Sequence, residues 1–357
     1  MKKILIIGLG LIGGSFARAI SQHKLADEIW AFDNNFDAIS LAKKEKIVDG
    51  FSLIDENLRD FDLIAIATPL IAYEDLLKQL GALGLAKTII IDLGSVKDFI
   101  FKILPKNLEQ NFVACHPIAG LDKSGFESSV ADLFSGKKFV ICKKNGNEKA
   151  AKIVEDIVLK IGAKPEFIDP KAHDEIYALM SHLPQFLSFL TKDFSPQTLN
   201  NTFFIRSFRL DDSSADIWAD IFKINGKNIE KFYFEFFDNF VEFVEKIEQK
   251  KYDESYNFLV KNVDVLGNSL GNSLEENASE NVFKNLPNAD KFKIVLRAII
   301  VASYLKIKKI DSLREYAGSG FKDFTSIASC LNFKEEIAAI LQKNSKEILD
   351  FAKKIGY

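Results

Sequence analysis

The sequence predicts an α/β N-terminal domain followed by an all-α region, and three observations carry that prediction. A continuous apolar run, Ile4–Ile7, passes directly into a glycine-rich turn, Gly8–Gly13. Short apolar runs then alternate with amphipathic segments as far as residue 168, the pattern of a parallel sheet with crossover helices. Past residue 170 the strand-like runs stop and helical periodicity takes over.

The run Ile4-Leu5-Ile6-Ile7 reads as a strand buried on both faces. Gly8-Leu9-Gly10-Leu11-Ile12-Gly13 follows in the order G-x-G-x-x-G, and residues 14–22 continue as a helix. Gly8 allows the tight turn, Gly10 lets a pyrophosphate approach the backbone, and Gly13 permits close helix–strand packing. The N–H groups that open the helix, around Leu9, Leu11 and Ile12, are suited to phosphate oxygens. A second strand, residues 28–32, ends at Asp33, whose carboxylate can accept from a ribose 2′-OH but repels a 2′-phosphate. This is a Rossmann-type cofactor site that favours NAD over NADP.

Further strands are expected at 62–67, 88–92, 112–114, 138–142 and 165–168, with helices at 71–81, 96–104 and 147–161. Thr68-Pro69 and Ser95 follow two of these strands and bring polar groups to the crevice at the sheet's carboxyl edge. His116 does the same. The apolar run Phe112-Val113-Ala114 reads as a strand that Pro117 ends, which puts His116 on a loop. No other residue brings a group that titrates near neutrality so close to the crevice. The alternative is a structural loop histidine. Beyond residue 170, segments 171–194, 215–249 and 291–307 are helical in period, and 267–285 is a polar linker.

Composition agrees with a soluble enzyme. The 357 residues suffice for two or three domains, and a net charge of −3 with no basic tract argues against a nucleic-acid partner. No apolar stretch is long enough to span a bilayer, and the early strand leaves no room for a signal peptide. The three cysteines have neither framework nor metal spacing, so no metal site and a reduced, cytoplasmic compartment are expected. The 32 phenylalanines against 2 methionines have no functional explanation.

Six segments together resemble one family. Gly8–Gly14 (GLGLIGG), Ala67-Thr68-Pro69, Gly94–Lys97 (GSVK), His116–Gly125 (HPIAGLDKSG), Ser181–Pro184 (SHLP) and Asp216–Asn225 (DIWADIFKIN) are similar, in order and spacing, to prephenate dehydrogenases over residues 1 to about 265. The resemblance implies a Rossmann-type NAD-binding domain over 1–169 and a helical substrate and dimerisation domain over 170–270, followed by a helical C-terminal extension over 271–357. It implies a homodimer. The implied activity is oxidative decarboxylation of prephenate by NAD to 4-hydroxyphenylpyruvate, in tyrosine biosynthesis.

That reaction needs one base near neutral pH, and His116 is the candidate acceptor for the ring hydroxyl proton. Ser95 would bond the same hydroxyl, although a turn serine closing a strand is its plainer reading. The dianionic substrate needs a cation. Counting back from Trp218, as the family motif does, gives Arg209, whose fork can clamp a carboxylate; a surface arginine is the alternative. The resemblance adds Ser181, His182, Gln185, His173 and Ser213 to the substrate set. It also implies that Trp218 reaches a partner subunit, where an ordinary core aromatic is the other reading.

The chain departs from the family in three places. Gln185 stands where the family has a histidine used near the substrate side chain and in tyrosine feedback, which predicts weak inhibition by tyrosine. Asp122 replaces a longer acidic residue. The substrate loop has lost its usual glycines and acid to Thr202, Phe203 and Arg206. The extension, in turn, carries Gly318–Ser329 (GSGFKDFTSIAS), which is closer to that loop than residues 202–213 are, except that Ser326 replaces the arginine. ILQKN at 340–344 likewise parallels IFKIN at 221–225. The extension is thus either a divergent second copy of the helical domain or an unrelated helical tail. Two other functions stay open: an arogenate dehydrogenase giving tyrosine directly, and a non-catalytic NAD-binding module.

Overall fold

The computed structural model describes residues 1–121, 123–142, 146–196, 208–263, 283, 285–327 and 334–357. Asp122, residues 202–207, most of the 267–285 linker and Cys330 lie outside the described residues. Two compact units are present, residues 1–175 with 215–225, and residues 176–214 with 226–357.

The first unit is built on one eight-stranded sheet in the order β3-β2-β1-β4-β5-β6-β7-β8. Its strands are β1 (Lys3–Ile7), β2 (Glu28–Phe32), β3 (Gly50–Phe51), β4 (Leu63–Ile66), β5 (Ile89–Asp92), β6 (Phe112–Pro117), β7 (Lys138–Cys142) and β8 (Lys164–Phe167). The first six run parallel, and only β7 against β6 is antiparallel. β1 lies between β2 and β4, so the strand order reverses there, and a crevice opens at the carboxyl edge. Helices α1 (Leu11–Gln22), α2 (Phe36–Lys44), α3 (Tyr73–Ala82), α4 (Asp98–Ile103) and α5 (Glu148–Lys160) flank the sheet. Strand residues Ile4 to Ile7 and Leu63 to Ile66 are almost wholly buried, as a sheet covered on both faces requires.

One expectation is corrected. β6 does not stop before His116 but runs through Pro117, with His116 opposite Val140 and Pro117 opposite Phe139. The antiparallel partner β7 extends the ladder past the point where the apolar run ends. His116 therefore sits in the last turn of a strand, not on a loop.

α6 (Pro170–Tyr177) leaves the first unit and enters the second. A turn of π-helix over Ala178–His182 joins it to α7 (Leu183–Leu190). α8 (Ala215–Ile224) belongs to the first unit, where Asp220 accepts from the Ile71 N–H at 3.3 Å. The second unit continues with α9 (Gly226–Glu248), α10 (Tyr252–Val263), α11 (Asn288–Leu305), α12 (Ile310–Leu313), α13 (Ser319–Ser326), α14 (Lys334–Lys343) and α15 (Ser345–Lys354).

Phe232, Phe236, Phe240 and Phe243 form a buried stripe on α9, each side chain worth about 2 kcal/mol when removed from water. The chain's own helices cover it. α10, α11 and α15 pack on α9, with Phe240 edge-on to Phe351 at 6.1 Å and Phe243 5.6 Å from Phe258. α11 is buried over almost its whole length. The extension is thus part of the core of the second unit.

Candidate active site

The glycine turn shows why each glycine is needed. Gly8 has φ +97°, and a Cβ there would stand 2.6 Å from the Ala67 carbonyl oxygen. A Cβ on Gly13 would lie 1.9 Å from the Gly8 carbonyl oxygen, so α1 can pack on β1 only without one. Gly10 faces open space, with nothing within 4 Å of its would-be Cβ. It caps α1 with no side-chain bond to the first turn, which leaves that turn's N–H groups to an outside acceptor.

Across the switch point, the Thr68 hydroxyl is buried with no hydrogen-bond partner. Asp33 Oδ2 accepts from the Leu9 N–H at 2.5 Å and Oδ1 from the Asn35 N–H at 2.7 Å. The carboxylate at the end of β2 is therefore fixed to the glycine turn. Open backbone, uncapped helix start, orphaned hydroxyl and anchored acid fit a dinucleotide.

The histidine is held by a chain of groups whose connection to it the sequence did not show. His116 Nδ1 lies 2.9 Å from His173 Nε2, and His173 Nδ1 lies 2.8 Å from Asp174 Oδ1. Asp174 in turn accepts from the backbone N–H of Lys97 at 2.7 Å and of Asp98 at 2.9 Å. Burial, followed by the Lys97 charge, holds the His173 imidazole well below the ordinary histidine range, so it is neutral.

The proton positions follow. A carboxylate only accepts, so His173 carries its proton on Nδ1 and its Nε2 accepts from His116 Nδ1–H. Neutral His116 then has its lone pair on Nε2. His173, assigned by resemblance to the substrate set, is instead fully buried beneath His116.

A second buried feature joins the neighbouring strand ends. The Lys97 ammonium pairs with Asp92 and donates to the Cys115 carbonyl at 2.6 Å, while Asp92 accepts from the Cys115 and Gly94 N–H groups at 3.0 and 2.9 Å. Lys97 and Asp92 are both fully buried. The pair locks the Gly94–Lys97 turn, with the half-buried Ser95, against the strand carrying His116. Its only hint in the sequence was the lysine of GSVK, which gave no sign of an aspartate partner. Trp218 packs on Phe222 within α8 at 5.7 Å.

In the helical unit, Gln185 is buried and gives its amide N–H to the Leu210 carbonyl at 2.7 Å, while Ser213 donates to its Oε1 at 3.3 Å. The glutamine thus braces the 209–213 turn. His182 is buried and Ser181 is half-buried on the π-turn. Arg209 donates from Nε and a terminal nitrogen to Asp323 at 2.7 and 2.6 Å. Among the described residues no cluster suited to a metal ion is present.

A Rossmann-type sheet with an open glycine turn and a braced histidine at its carboxyl edge defines a protein of the nucleotide-binding class. Residues 16–167 match the family model for the prephenate dehydrogenase nucleotide-binding domain and residues 169–261 the model for its dimerization domain. The chain belongs to the prephenate dehydrogenase family. It is 31% identical to a prephenate dehydrogenase of Lactococcus lactis over 53% of this chain and 52% of that protein. It is 28% identical to one of Bacillus subtilis over 68% of each. The crystal structure of Aquifex aeolicus prephenate dehydrogenase with hydroxyphenyl propionate and NAD+ is similar at 29% identity and a TM-score of 0.65, covering 72% of this chain and 95% of that one. The chain thus spans about half the length of the first of these relatives and about two thirds of the second. Residues 262–357 lie beyond both family models.

Proposed function

We propose that this chain catalyses the oxidative decarboxylation of prephenate to 4-hydroxyphenylpyruvate with NAD. The observation that carries the reading is the His116–His173–Asp174 chain at the carboxyl edge of the same sheet whose first strand leads into the glycine turn. Bound NAD supplies the hydride acceptor. Gly10 and the N–H groups of Leu11 and Ile12 at the start of α1 would hold its pyrophosphate, with the Leu9 N–H already given to Asp33; Asp33 would take its ribose hydroxyls, and Thr68 and Pro69 would line the same crevice.

His116 Nε2 accepts the proton of the ring hydroxyl as the hydrogen on that ring carbon leaves with its electron pair. The carboxylate opposite departs as CO₂, its bonding pair makes the ring aromatic, and the proton returns to the phenolate oxygen. His173 keeps the lone pair of His116 on the reacting side, Ser95 bonds the hydroxyl, and Arg209 clamps a substrate carboxylate. Ser181, His182 and Trp218 complete the substrate set.

Following reduced nicotinamide by absorbance, with prephenate and with arogenate in turn, tests the reading. Turnover with prephenate is expected. Turnover with arogenate alone reassigns the substrate, and turnover with neither leaves a nucleotide-binding module. A homodimer, supported by the match to a dimerization domain, is part of the proposal. Its interface lies away from the phenylalanine stripe, which the chain itself covers. A cytoplasmic location is supported by Cys115 and Cys142, which are buried free thiols.

A further inference from the structure

Two ion pairs run in opposite directions between the 208–213 turn and the C-terminal extension. Arg209, in the turn, donates to Asp323 on α13. Arg297, on α11 of the extension, donates back to both oxygens of Asp211 at 2.7 Å. Arg297 is buried, with its guanidinium 4.7 Å over the Phe208 ring and 5.9 Å from the Phe324 ring. Asp211 also receives the hydroxyls of Ser188 and Ser195. α13 itself packs on α7 and on the turn.

The sequences of the two segments explain the arrangement. The stretch leading to Arg209 keeps the arginine but lacks the loop's glycines and its acid. The stretch Gly318–Ser326 keeps Gly318, Gly320 and Asp323 but has serine at the arginine position. Each segment lacks what the other retains, and the structure joins the retained arginine to the retained acid.

We propose that the substrate arginine is a composite of two half-degenerate loops, with Asp323 of the extension as the positioning residue that orients the Arg209 guanidinium for a substrate carboxylate. The inference rests on the proposed role of Arg209. An arginine on its long stem loses rotamer freedom when it clamps an anion. One already held in place does not, so its affinity is higher. The pair with Asp323 engages Nε and one terminal nitrogen of the guanidinium. Arg297 acts behind it, fixing Asp211 and hence the turn on which Arg209 stands.

The test is steady-state kinetics on the full chain for Asp323→Asn, Arg209→Ala and the double variant, with thermal melting as a control for folding. Asp323→Asn should raise KM for prephenate about tenfold, the scale of a lost charge-assisted bond, with kcat and KM for NAD nearly unchanged. The double variant should be no worse than Arg209→Ala alone, because both act on one guanidinium. Asp323→Glu, which keeps the charge at a different reach, should melt normally and fall between wild type and Asp323→Asn; it carries the test if the asparagine variant does not fold. A raised KM in Arg209→Ala together with a wild-type KM in Asp323→Asn, or additive effects in the double variant, overturns the inference. A wild-type KM in Arg209→Ala instead removes the underlying assignment of Arg209.

Discussion

His116 takes its tautomer from two side chains that need not touch substrate. In His116→Asn the cofactor turn is unaltered, so NAD should bind with wild-type affinity while kcat falls by about 10²–10⁴-fold, the usual share of a general base; titration calorimetry and turnover measure the two separately. His173 adds a pH signature. Its folded-state pKa is depressed, so the unfolded chain binds its proton first as acid is added. The stability it contributes is fully present above about pH 6.5 and is lost as pH falls below that value, by up to about 1.4 kcal/mol per unit. Denaturant midpoints at successive pH values should therefore fall more steeply below pH 6.5 in wild type than in His173→Gln. Asp33 already spends one lone pair on Leu9 and another on Asn35, so its position survives without ligand. Asp33→Ser should loosen the turn as well as weaken the preference for NAD over NADP, and the ratio of kcat/KM for the two cofactors reads this out.

At the scale of elements, the sequence was most legible where one rule governed a whole segment. Buried parallel strands need unbroken apolar runs, so β1, β2, β4 and β5 stood close to where Ile, Leu and Ala cluster. The glycine turn was legible because each glycine has a steric reason. β3, two residues long, has too little pattern to register, and α2 has a short apolar face that its asparagine cap supports. β6 was read short because proline normally ends a strand, whereas its position at the end of an antiparallel ladder lets it stay. Within the site, Gly8, Gly10, Gly13, Asp33 and His116 could be picked out from local spacing. The Asp92–Lys97 pair and the His173–Asp174 brace could not, since their partners meet only once the sheet is assembled. Gln185 belongs to the same class. Its amide is committed to Leu210 and Ser213 and carries no charge for a carboxylate. Tyrosine should accordingly inhibit weakly, and competitive inhibition at micromolar tyrosine would remove this expectation.

Over the whole molecule, the extension changes what the helical unit can do alone. α11 and α15 lie on the stripe of Phe232, Phe236 and Phe240, and α11 also ties to the π-turn through the Tyr304 hydroxyl and the Leu179 carbonyl at 2.7 Å. A chain ending after α10 uncovers that stripe and leaves Asp211 without its arginine. It should aggregate on expression, with little soluble protein by sedimentation. The full chain should stay dispersed, and light scattering should give about twice the 40.2 kDa of one chain; a mass near that of one chain would overturn the homodimer.

Cys115 and Cys142 sit on facing strands, one residue out of register beside His116. Burial holds both thiols above the ordinary cysteine range, so neither supplies thiolate to a reagent while the sheet is closed. With Cys330 replaced, the rate at which a disulfide reagent labels the folded protein becomes a clock for opening of the β6–β7 ladder. If that opening is as rare as the burial implies, bound NAD should slow the clock further, which gives a measure of cofactor binding that needs no turnover.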